Sequence, residues 1–233
     1  MDMLSLLFFA AHAGEPQVLS ASERIVIDHG VGDITITSSA EAQAVTIELI
    51  PIKWDEACKV EITEQGGTAT VRTWSERRRG SCQADIRVVT PATADADIEL
   101  GVGDLTVTQL RSLDIEIGVG DLSLLDITGS VDIELGAGNV SMDLFGRGDI
   151  EVGVGDLLLH ARPGSILDAS VGVGGVSILL PGGTAANTRT SIGMGEARVS
   201  VPNDPSAPTR LQIVIGVGDI EISEEPAPPV PEL

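Results

Sequence analysis

Carboxylates are the side chains of this sequence best placed to do chemistry. Aspartate and glutamate number 35 against 14 lysines and arginines, a net charge of −21. They recur in pairs one residue apart: Asp97 and Glu99, Asp114 and Glu116, Asp132 and Glu134, Asp149 and Glu151. On a strand such a pair points to one side, where it can share a cation or a proton. Calcium takes about six to eight oxygens in a flexible shell. Flat rows of carboxylates offer few convergent oxygens, so Asp114, Glu116, Asp132, Glu134, Asp149 and Glu151 are weak Ca²⁺ candidates, and diffuse attraction of cations is the stronger expectation. No other cofactor is implied.

Catalytic constellations are not apparent. The sequence contains no Gly-x-Ser-x-Gly, no His-Glu-x-x-His and no Cys/His metal spacing. His12, His29 and His160 are scattered, and no helix follows Gly172–Gly175 to make a dinucleotide turn. Arg147-Gly148-Asp149 has the integrin-type order but falls within a strand pattern, where chance explains it better.

The elements that must position the acids repeat. Gly30-Val31-Gly32-Asp33-Ile34 returns as Gly-Val-Gly-Asp-Leu at Gly101, Gly118 and Gly153, and as Gly-Val-Gly-Asp-Ile at Gly216. Looser copies begin at Gly136, Gly172 and Gly193. From Gly101 the starts lie 17, 18, 17, 19, 21 and 23 residues apart. A period near 17 without helical spacing indicates a stacked repeat. Before each word apolar and acidic residues alternate, as in Asp114-Ile115-Glu116-Ile117, the mark of a strand with one buried face. That alternation places Ile115, Ile117 and Val119 inside. Leu122 and Leu124 must also be buried, so the pattern slips by one residue at Gly120-Asp121, where a bend needs glycine. The pairs Gly103–Asp104, Gly120–Asp121, Gly138–Asn139, Gly155–Asp156 and Gly218–Asp219 are therefore structural corners. Their acidic side chains are expected to accept hydrogen bonds from turn amides rather than to bind metal.

A rung of two short strands cannot bury its own apolar face, but stacked at about 4.8 Å it buries a column of Ile, Leu and Val. The predicted fold is all-β: a parallel, right-handed β-solenoid with rungs of about 17–19 residues. Stacking then aligns Asp97, Asp114, Asp132, Asp149 and Asp168 in one outward column and Glu99, Glu116, Glu134 and Glu151 in a second. Like charges at that spacing repel by about 1 kcal/mol per neighbour in water. Past Asp168 the pattern fails, with Ser170, Arg189 and Gln212 at equivalent places.

Four segments are expected. Residues 1–13 read as a signal peptide, an apolar run ending in Ala11-His12-Ala13, although Asp2 stands where a basic residue is usual. Residues 14–92 form an N-terminal β region, with His29 at an inward position of its first strand pair. Within it Ala44–Trp54, Cys58–Gln65, Thr68–Trp74 and Cys82–Thr90 are strands, joined in the middle by a Gly66-Gly67 hairpin. They read as an antiparallel cap, needed because an open stack exposes strand edges. Residues 93–223 hold the repeats, and 224–233 a Pro-rich disordered tail. Cys58 and Cys82 pair as a disulfide in an exported chain, worth about 3 kcal/mol; two free buried thiols go with a leader that is not a signal. Arg77-Arg78-Arg79 is the one basic cluster, read as a solvated hairpin tip. Loss of the leader removes one acid and leaves a strongly negative chain, which excludes nucleic acid as partner and disfavours anionic lipid. No stretch is long and apolar enough for a transmembrane segment.

A capping β region, a strand ending near Pro91, then serial strands each closing on Gly-Asp-[Val/Ile/Leu] resemble the bacterial β-strand-repeat family known as "putative adhesin" domains, over about residues 20–222. The resemblance implies an extracytoplasmic, non-enzymatic β-solenoid and supplies no catalytic residues. The strong acidity and the regular Gly-Val-Gly depart from what such a domain needs. The expected role is an adhesin-like or structural module of the periplasm or cell surface, presenting an acidic surface to a cell-envelope protein or glycan, with self-association open. A filament-forming cytoskeletal-type scaffold and a polysaccharide-active β-helix enzyme are the alternatives.

Overall fold

Residues 15–20, 22–39, 41–77 and 82–225 are described by a computed structural model. The leader, Arg78, Arg79 and residues 226–233 of the tail lie outside the described residues. The alternating stretches become strands, and no helix occurs among the described residues. The N-terminal strands are β1 (Gln17–Leu19), β2 (Arg24–Val31), β3 (Ile34–Ser39), β4 (Val45–Lys53), β5 (Cys58–Gln65), β6 (Thr68–Ser75) and β7 (Gln83–Pro91). The repeats supply β8 (Asp95–Val102), β9 (Leu105–Thr108), β10 (Ser112–Val119), β11 (Leu122–Ile127), β12 (Ser130–Ala137), β13 (Val140–Leu144), β14 (Arg147–Val154) and β15 (Leu157–Ala161). They continue as β16 (Ile166–Val173), β17 (Val176–Leu180), β18 (Asn187–Met194), β19 (Ala197–Val199), β20 (Arg210–Val217) and β21 (Ile220–Glu224).

Two mixed, mostly parallel sheets result. One has the order β1-β4-β7-β3-β9-β11-β13-β15-β17-β21-β19, the other β18-β20-β16-β14-β12-β10-β8-β2-β6-β5. From β8 onward each consecutive pair places one strand in each sheet, and each strand lies parallel to its counterpart in the neighbouring pair, or rung. Inward Ile, Leu and Val of both sheets form one continuous hydrophobic cluster, the burial that offsets the chain entropy of so many ordered residues. The 18-residue step from Gly118 fits the stack through a bulge: β11 carries one extra residue between Leu124 and Ile127 relative to β13, and Asp126 adopts φ 57° there.

Three sequence expectations need correction. The antiparallel cap is narrower than residues 44–91. β4 pairs antiparallel with β7, β5 with β6 and β1 with β4, but β6 and β7 lie parallel to β2 and β3. They make a further rung without a glycine word. Second, the stack does not follow chain order at its ends. β2/β3 sits between β6/β7 and β8/β9, and β20/β21 sits between β16/β17 and β18/β19. The strand that runs into Gly193, β18, has Thr188 and Thr190 where β20 has Leu211 and Ile213, a polar face suited to the outermost place. Third, Val119 is not in the core: it is 51% exposed, and Gly118, Val119, Gly120 and Asp121 all lie outside between buried Ile117 and Leu122. The alternation stops one residue earlier than Val119, and the corner takes in the whole of Gly-Val-Gly-Asp.

Candidate functional site: a carboxylate face beside a glycine channel

Each corner is fixed by its two glycines in different ways. A Cβ on Gly118 would stand 2.5 Å from the carbonyl oxygen of Gly101 in the next rung. A Cβ on Gly120 would overlap the Gly103 carbonyl, and Gly120 has φ +156°. The second glycine of every word shares this conformation, with φ between 137° and 156°. The corner acids form a hydrogen-bonded ladder. Asp104 Oδ1 accepts from the Asp121 amide (2.9 Å), Asp121 Oδ1 from Asn139 (2.8 Å), Asn139 Oδ1 from Asp156 (3.0 Å) and Asp156 Oδ1 from Gly175 (2.7 Å). Asp219 Oδ1 accepts from the Glu196 amide (2.8 Å). The donors come from the neighbouring rung rather than from the acid's own turn. This uses the carboxylates to satisfy backbone donors that the corner removes from the sheets.

On the outward face of the ten-stranded sheet the parallel register aligns the acids in rows. Asp97 pairs with Asp114, Asp114 with Asp132, Asp132 with Asp149 and Asp149 with Asp168. Glu99, Glu116, Glu134 and Glu151 align in the same way, with Ser170 next. The ends of these rows have partners. Arg24 reaches Asp97 (2.8 Å), Arg72 reaches Asp28 (2.7 Å) beyond Glu99, and Gln212 Nε2 donates to Asp168 (3.2 Å). Arg111 Nε donates to Asp95 (2.8 Å), which holds that carboxyl below the usual range.

Among the described residues the middle of the face has no such partner. Partial burial, reinforced by Asp114, Asp149 and Glu151, pushes the Asp132 carboxyl above its ordinary value. Glu116, Glu134 and Glu151 also wall a channel of about 430 Å³ floored by Gly118, Gly136 and Gly153. The six Ca²⁺ candidates all lie in these two rows. Among the described residues no three His, Cys, Asp or Glu side chains are arranged to hold a metal ion.

Other singled-out residues fall away from this face. His29 is buried, with Nε2 on the Ala84 carbonyl and Nδ1 on the Thr73 hydroxyl, both at 2.7 Å. Nε2 must donate to the carbonyl, so Nδ1 accepts from the hydroxyl; burial pushes the imidazole pKa down. His160 lies in the other sheet, 3.4 Å from Asp143. Cys58 and Cys82 are joined by a disulfide, with Cα atoms 5.6 Å apart. Arg77 contacts Asp55 at 3.3 Å. Arg147, Gly148 and Asp149 lie in β14, with Gly148 buried.

One feature of the face escaped sequence reasoning. Val31, Val102, Val119, Ala137, Val154, Val173, Val217 and Met194, the middle residues of the glycine words, stack in register as an outward ridge. Exposure reaches 55% at Val154 and 69% at Met194. The signal was present in the repeated Gly-x-Gly, but strict alternation assigns Val119 to the core.

No family model matches the sequence, and no curated protein matches it. Solved structures to which the chain is similar include a "putative adhesin" from Parabacteroides merdae, 14% identical with a TM-score of 0.43, covering 92% of this chain and 97% of that one. A "putative adhesin" from Bacteroides fragilis is 15% identical with a TM-score of 0.38, over 91% of this chain and 98% of that one. A "putative cell adhesion protein" from Clostridium sporogenes is 11% identical with a TM-score of 0.33, over 91% and 100%. These likenesses carry no residue role across. No helix among the described residues is long and apolar enough to cross a membrane.

Proposed function

We propose that this protein is a non-enzymatic, extracytoplasmic β-solenoid, coiled right-handed, that presents its carboxylate face as an adhesin-like interaction surface. The observation that supports this reading is the pair of in-register acid rows, solvent-facing on one sheet and, among the described residues, unpaired in their middle. Rows held at strand spacing on a rigid sheet attract basic partners and cations at long range, and the attraction weakens with salt. The partner class is a cell-envelope protein or glycan carrying positive charge. Antiparallel strands at one end of the stack argue against end-to-end growth into filaments, since a growing stack needs matching ends.

The test is binding of a basic test protein to the immobilised chain across a salt series. Wild type should bind and release as salt rises. The Glu116→Gln/Glu134→Gln/Glu151→Gln variant should lose most of that binding. Equal binding by the two would end the reading of this face. N-terminal sequencing of the mature protein tests export: a start at Gly14 fits it, and a retained Met1 opposes it.

A further inference from the structure

The middle residue of the glycine word has no part in the role just described, yet it is apolar in every copy. The fourth position varies among Asp, Asn, Gly and Glu, while the second stays Val, Ala or Met. The fold makes no demand for that constancy. Val119 and its counterparts lie outside the core, and a polar β-branched residue would suit the same backbone. Seven register steps of about 4.8 Å make the ridge roughly 34 Å long. Isolated exposed apolar side chains are ordinary, but contiguous ones on this scale mark interaction surfaces.

What lies beside the ridge narrows the partner. The adjoining row is Gly118, Gly136 and Gly153, a floor without side chains, and beyond it stand Glu116, Glu134 and Glu151. On the other flank run the corner acids Asp104, Asp121 and Asp156. An apolar strip between two lines of carboxylate repels anionic lipid and nucleic acid. A second copy meeting ridge to ridge would bring its acid rows against these. A bare cation would leave the ridge in water.

We propose that the ridge and the glycine channel seat an extended basic polypeptide segment with aliphatic side chains between its lysines or arginines. The aliphatic groups cover the valines, the cationic groups reach the glutamates, and the glycine floor lets the segment's backbone approach. This rests on reading the carboxylate face as an interaction surface, and it gives that surface an apolar half.

Two synthetic peptides of equal length and charge separate the two ideas, one alternating Lys and Val, the other Lys and Ser. Fluorescence anisotropy at low salt, below the aggregation threshold of either peptide, reads the affinities. Wild type should bind the Lys/Val peptide about tenfold more tightly than the Lys/Ser peptide. Val119→Thr/Val154→Thr/Val173→Thr should abolish that preference and leave Lys/Ser binding unchanged. Should the triple variant melt early, Val154→Thr alone should cut the preference by about twofold. Equal affinity of wild type for both peptides would overturn the proposal while the acidic face stands. A preference that survives the triple substitution would also overturn it. Failure of both peptides to bind would remove both readings.

Discussion

The two outward faces of the stack share backbone, spacing and register, and differ in what they display. On the ten-stranded sheet the rows are Asp and Glu. On the eleven-stranded sheet the matching row runs Thr35, Thr106, Ser123 and Ser141, then Leu158 and Ser177. Parallel strands therefore hold hydroxyls at this spacing without charge. The fold accepts neutral side chains, so the carboxylates that strain the other face are there for another reason. A repelling row that the architecture does not require is a stronger functional signal than any single acid.

Substitution at the corner the two faces share should have the largest effect. Gly120→Val should cost about 4 kcal/mol or prevent folding, because a Cβ there overlaps the Gly103 carbonyl. Urea unfolding measures it, and a variant as stable as the parent would separate the faces from the corner. Next comes the disulfide, which ties β5 of the acidic sheet to the loop entering β7 of the other. Cys58→Ser/Cys82→Ser should lower stability by about 3 kcal/mol, in a single transition if the two sheets unfold together.

The charge difference itself is sharpened by exchange. Glu116→Gln/Glu134→Gln should raise stability by about 1 kcal/mol at low salt. Ser123→Glu/Ser141→Glu on the other face should lower it by a similar amount. Both effects should shrink as salt is added, and salt-independent values would mean that packing, not charge, separates the faces.

The smallest effect is in pH. Asp132 titrates above its ordinary value when folded, so its penalty is fully present above that folded value. Stability should be regained as pH falls through the folded value toward the ordinary carboxylate range. His29 runs the opposite way. Its pKa is lowered from 6.5, so stability is lost as pH falls below 6.5 toward the folded value. Melting curves of Asp132→Asn should lack the acid-side gain, and those of His29→Leu should lack the loss. A parental pH profile in either variant would reassign the titration.

Much of this fold is legible in the sequence. The alternation of Asp114 to Ile117 gives the strand, its buried face and the acid rows, because period-2 patterning that ends each time on the same glycine word leaves one register for parallel stacking. Gly66-Gly67 marked its hairpin, with φ 58° and 79°. What stayed hidden depended on contacts far apart in the chain. Nothing local in Thr68–Ser75 distinguishes a parallel partner, β2, from an antiparallel one, β5. The Thr188 and Thr190 signature of an outermost rung has meaning only once β20 is known to lie inside it. Strict alternation misplaces Val119 because it runs one step into a corner, where glycines on both sides free the backbone from the pleat.

The displaced order at the C-terminal end changes how the molecule bears a load. The chain leaves the stack from β21, which is held by β17 on one side and β19 on the other. Tension applied there pulls on an interior strand and must shear two ladders at once, instead of peeling a free strand bond by bond. A tethered molecule anchored beyond Glu225 would therefore yield at high force and abruptly, a mechanical clamp formed by inserting the last rung beneath the one before it.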